Sequence, residues 1–152
     1  MNRNTLKNIH KIAASLAFIL IATFQVSTIL ADTFATERLI ADVKSTILVF
    51  VPVLMLAMMA TGISANKLYT GTMKGVFKTK QTRMKIAAIN GIFVLLPAAV
   101  ILARWSEQGQ FDTLYWTVQG IEIITGLVNL TMIGLNIRDG IRLGRKAKKV
   151  YC

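Results

Sequence analysis

The chain has 152 residues, a formal net charge of +11 and a hydrophobic share of 54%, which is too apolar for a soluble domain of this size. Charged residues make up 16% and are bunched between long uncharged stretches, whereas a soluble helical bundle spreads them along amphipathic faces. The Lys and Arg residues flank apolar runs, as orientation in a membrane requires, so no nucleic-acid partner is expected.

The first apolar run, Ile12 to Ala31, follows Arg3, Lys7 and Lys11. Twenty residues rising about 1.5 Å each match the thickness of a hydrocarbon core, so the run spans once. A cleaved signal peptide would have a shorter apolar region and a better small-x-small site than Ile29 with Ala31 offers, so the helix is expected to be retained. The second run, about Ile40 to Ala65, contains Pro52, which frees the carbonyl of Leu48 and predicts a kink.

A hydrophilic stretch, 66–83, with Lys67, Lys74, Lys78, Lys80 and Arg83, reads as a basic loop. The third run, Met84 to Arg104, carries Pro97, which frees the carbonyl of Phe93. A short link, 105–112, leads to the fourth run, about Thr113 to Ile137, and then to a basic tail, 138–152. The expectation is an all-α polytopic membrane protein, a single membrane domain over 1–152, with helices over about 9–31, 40–65, 84–104 and 113–137. Short links between helices one and two, and three and four, predict an up-down-up-down four-helix bundle.

The N-terminus, central loop and tail hold fifteen of the eighteen Lys and Arg, counting Lys85; the other side holds Arg38, Lys44 and Arg104 against Asp32, Glu37, Asp42, Glu107 and Asp112. The positive-inside rule then puts both termini and the loop in the cytoplasm, in a bacterial inner membrane. Phe34, Trp105, Phe111, Tyr115 and Trp116 gather at the outer boundary, where amphipathic rings prefer to sit.

On the fourth helix Tyr115, Gln119, Glu122, Gly126, Asn129, Ile133 and Asn136 recur at alternating steps of four and three, tracing one face that should point inward. Glu122 is the one acid deep in an apolar run and needs a partner. Depth counting from the outer boundary brings Gln25, Lys44 and Glu122 to one level, so a polar cluster of these three is expected. Such a cluster serves either as a proton, ion or quinone-headgroup site or as a pair that fixes helix register; a snorkelling Lys44 would leave Glu122 unpaired. Asn90, Gly126, Asn129 and Asn136 read as helix-packing residues.

His10, the single histidine, is a weak haem-ligand candidate, because two-histidine ligation within one chain is impossible. Met55, Met58, Met59 and Met132 read as adaptable packing residues. Cys152 has no partner for a disulfide or a thiolate metal site, and its position does not make a prenylation box. No metal is expected, and no nucleotide, zinc-protease or serine-nucleophile motif is present, so the sequence offers no enzyme chemistry. Lys74, Lys78, Lys80, Arg142, Arg145 and Lys146 are expected to contact anionic lipid headgroups.

The stretches His10-Lys11-Ile12-Ala13-Ala14, Gly109-Gln110-Phe111-Asp112 and Gly134-Leu135-Asn136-Ile137-Arg138-Asp139-Gly140 resemble those of small uncharacterised four-helix inner-membrane proteins of proteobacteria. The resemblance implies the fold and carries no activity to any residue. Small multidrug exporters are similar in having four helices and one membrane glutamate, but theirs lies on the first helix, where this chain has Gln25. Cytochrome b-type bundles need more histidines. The leading expectation is a non-enzymatic accessory or assembly subunit, as a homo-oligomer or within a larger membrane complex. The alternatives are an oligomeric proton- or ion-coupled transporter using Glu122, and a quinone- or haem-binding redox subunit.

Overall fold

The structure is a computed structural model that describes residues 2–68 and 75–150, with side chains as far as Gly144. Its elements are α1 (Arg3–Phe34), α2 (Glu37–Leu68), α3 (Val76–Asn90), a π-helical turn (Gly91–Leu95), α4 (Leu96–Glu107) and α5 (Thr113–Val150). The third rod, Val76–Glu107, is continuous through the π turn, so four helices are long and apolar enough to cross a membrane.

Each helix outruns its apolar stretch. Residues 76–83, read from the sequence as loop, belong to α3, and α5 continues through the basic segment to Val150. Lys, Arg, Gln and Ala are strong helix formers, so the point where apolarity ends is not where hydrogen bonding ends. Lys74 lies outside the described residues, as do the side chains of Arg145 and Lys146.

Local chemistry sets the ends. The Asn2 side chain accepts from the Asn4 N–H at the start of α1, and the Asp112 carboxylate accepts from the Tyr115 N–H at the start of α5, satisfying amides with no intrahelical partner. Gly109, at φ +68°, turns the chain between α4 and α5, a conformation that costs glycine little. Pro97 acts through the preceding turn: the Leu96 N–H reaches the Gly91 carbonyl, five residues back, and this widened turn accommodates the proline that follows.

The rods pack with α1 against α2 and α5, α3 against α5, and α4 against α2 and α5. The third rod therefore gains α2 as a neighbour beyond its π turn. One apolar centre holds Ala31, Ile40, Ala98, Leu102 and Tyr115; a second holds Ile21, Ala87 and Ile133, flanked by Met58 and Met132. Many buried positions are alanine, including Ala13, Ala17, Ala57, Ala87 and Ala103, whereas large side chains such as Val49 and Phe93, each 73% exposed, point away. Small residues inside and large apolar residues outside suit a bundle whose solvent is lipid, where association depends on close packing and hydrogen bonds.

Candidate functional site

The fourth-helix stripe is where the interior polar groups converge. Tyr115, Gln119, Gly126, Asn129 and Ile133 are buried, and Glu122 and Asn136 are nearly so. The polar rungs below Gln119 tie α5 to two neighbours, the first to α2 and the next two to α3. Glu122 accepts from Lys44 of α2, Nζ to Oε2 at 2.6 Å, with the Lys44 side chain 2% exposed and that of Glu122 14%. Asn129 donates to the Ala87 carbonyl at 3.0 Å and accepts from Asn90 at 3.2 Å. Asn136 donates to the Lys80 carbonyl at 3.0 Å. About seven residues, or two turns, separate successive rungs, so the polar line follows much of the apolar length of α5.

Gln25 does not join the Lys44–Glu122 pair, contrary to the three-residue cluster expected from depth counting. Its amide donates to the Ile123 carbonyl at 3.2 Å, and its amide oxygen occupies the space where a side chain at Gly126 would begin. The missing Cβ opens the α5 backbone to a hydrogen bond, which depth counting does not register. Gly126 is thus the seat of Gln25.

Asp32 is a third charged group that acts on this pair electrostatically, without a hydrogen bond to it. It lies within electrostatic reach of both Lys44 and Glu122, and Tyr115 lies within reach of Asp32 and Glu122. Both Asp32 carboxylate oxygens, the Tyr115 hydroxyl and both polar atoms of Gln119 are buried, and none has a hydrogen-bond partner among the described residues. Tyr115 and Gln119 are almost wholly enclosed, at 0% and 1% exposed. The ring of Tyr115 is held edge-on by Phe111, centroids 4.8 Å apart, and by Trp116, 5.3 Å apart.

No protein-family model, curated protein or solved structure matches this chain. What the site can do therefore follows from its own chemistry. Taken as ionised, Asp32, Lys44 and Glu122 carry one negative charge in excess. In a low-dielectric interior that excess is costly, and one proton or one monovalent cation neutralises it. Among the described residues there is no group of three His, Cys, Asp or Glu side chains arranged to hold a metal ion.

The opposite end of the bundle, rich in Lys and Arg, is tied differently. The His10 Nδ1–H donates to the Thr61 carbonyl at 3.2 Å and lies 3.0 Å from Ser64 Oγ, joining α1 to α2. Arg83 pairs with Asp139 at 2.7 Å, joining α3 to α5, and Arg138 shares the same carboxylate at 3.3 Å. Lys78 and Arg142 are exposed and Lys80 is half-buried. Asp32 and the Arg83–Asp139 clasp were not singled out as site residues in the sequence. The signal for Asp32 is its spacing of seven from Gln25, which places both on one face of α1.

Proposed function

We propose that this chain is a proton-handling membrane protein, in which Asp32, Lys44 and Glu122 hold an exchangeable proton that drives or accompanies transport. The four helices cross a bacterial inner membrane as an up-down-up-down bundle with the termini and basic central segment in the cytoplasm, following the distribution of Lys and Arg. The proton site then lies in the outer half. One observation supports this reading most: a buried pair made only to fix register would have its neighbours satisfied, whereas here Asp32 and Tyr115, within electrostatic reach of the pair, and Gln119, one turn from Glu122 on α5, carry buried polar atoms with no hydrogen-bond partner among the described residues.

Tyr115 and Gln119 precede Glu122 on the same face of α5, at successive turns from the outer boundary. Proton flux into vesicles containing the purified chain, read by a trapped pH-sensitive dye under an imposed gradient, tests the reading. Glu122→Gln and Asp32→Asn are each expected to reduce the protein-dependent flux by about ten-fold or more, within the range of a lost proton-transfer group. Flux equal to that of protein-free vesicles for the unmodified chain would defeat the proposal.

A second reading, an accessory or assembly subunit, draws on the continuation of α5 through Val150, well past its apolar run. A basic helix standing clear of the bilayer suits an acidic partner protein. Co-purification in mild detergent tests it: a stoichiometric partner supports the subunit reading, and an absorption spectrum of the same sample tests for haem through its Soret band.

A further inference from the structure

A groove of about 380 Å³ runs between α3 and α5, lined by Arg83, Leu127, Val128, Thr131, Met132 and Leu135. From Leu127 to Leu135 it covers about 12 Å of helix rise, against about 15 Å for the hydrocarbon of one leaflet. Its walls are apolar apart from Arg83, because the Thr131 hydroxyl is spent on the Leu127 carbonyl. Leu127 and Val128 are exposed, so the groove opens toward lipid.

The charge sits at one end only. Leu127, Thr131 and Leu135 lie on a face of α5 that continues, at steps of three and four, through Arg138 and Arg142. Arg83 of α3 closes the same end through its bond to Asp139. Arg83 and Arg138 share that carboxylate and Arg142 lies one turn beyond Arg138, so three guanidinium groups stand against one carboxylate, which leaves two positive charges in excess at the head of an apolar channel.

We propose that this groove is a binding site for one anionic phospholipid of the leaflet that meets the basic end. An acyl chain lies along Leu127 to Leu135, and the headgroup phosphate lies among Arg83, Arg138 and Arg142. The observation that selects a lipid over a protein helix is this polarity, apolar for the length of a chain and cationic at its head, which is how basic pockets between membrane helices take anionic headgroups. The proposal is independent of the proton reading.

The test places a reporter in the groove. Leu135→Trp is made in a chain carrying Trp105→Phe and Trp116→Phe, and its fluorescence is quenched with phospholipids brominated on their acyl chains, phosphatidylglycerol against phosphatidylcholine. The expected result is that phosphatidylglycerol quenches at about five-fold lower mole fraction, the selectivity of roughly one well-placed charge. Adding Arg138→Gln and Arg142→Gln, both exposed positions, brings the two lipids to near parity.

Equal quenching by both lipids in the unsubstituted-arginine chain would overturn the site. So would quenching by neither, together with cross-linking of Leu135→Cys chains to each other, which would mean that a second copy fills the groove. Native mass spectrometry of the unmodified chain is an independent readout. Retention of one phosphatidylglycerol per chain in preference to phosphatidylcholine is expected, and equal loss of both would count against the proposal.

Discussion

Removing the cation from the buried pair gives the sharpest stability prediction. Lys44→Met leaves Glu122 and Asp32 enclosed without the cation that faces them, and the Lys44 ammonium is the one group that donates to Glu122 among the described residues. Breaking a buried ion pair from one side costs about 3–5 kcal/mol. Glu122 retains some exposure, 14%, so the lower end applies, about 3 kcal/mol or a factor of roughly a hundred in the folding equilibrium. Lys44→Met combined with Glu122→Leu removes one uncompensated charge and leaves Asp32, so at least about half the loss should return. Unfolding by SDS in mild detergent, followed through the fluorescence of Trp105 and Trp116, measures both variants. A cost below about 0.5 kcal/mol for Lys44→Met, the level of an exposed surface pair, would mean that the Lys44–Glu122 pair is not enclosed in the folded protein.

Further outcomes follow from the other rungs. Gly126→Ala should destabilise the fold by about 1–3 kcal/mol, because its methyl enters the space of the Gln25 amide, and adding Gln25→Ala should recover much of that in the same unfolding assay. Asn129→Leu removes a bond to Asn90 and one to the Ala87 carbonyl, for a loss of about 1–2 kcal/mol measured by the SDS midpoint. Asp139→Asn weakens the clasp between α3 and α5, so hydrogen exchange of amides near Arg83 should accelerate while those around Asn90 stay protected.

Much of the fold was legible because lipid imposes simple rules. Apolar run length predicted four helices, and the alternation of Tyr115, Gln119, Glu122, Gly126, Asn129, Ile133 and Asn136 predicted an inward face, since amides and carboxylates at helical spacing are costly in lipid. The meeting of Lys44 and Glu122 followed from counting depth along two helices. The hydrogen bond of Gln25 goes to the backbone carbonyl next to Glu122 and not to a side chain, because Gly126 opens the α5 backbone to a neighbour, and hydropathy carries no trace of that. Asp32 was hidden by its position, two residues from the end of α1, where an acid reads as an interfacial group. The helix ends beyond Ala65, before Met84 and after Ile137 were invisible because Lys- and Arg-rich segments look the same whether helical or not. His10 shows the same limit: its tie to Thr61 and Ser64 depends on the crossing of α1 and α2.

The most direct test of the proton site is a difference infrared spectrum between acid and neutral pH, recorded on the purified chain in lipid. A carboxyl band, shielded from rapid deuterium exchange, is expected to change protonation in the unmodified chain and to be lost or shifted in both Asp32→Asn and Glu122→Gln. A spectrum in which every titrating carboxyl is exposed, and which neither substitution alters, would contradict the proton site.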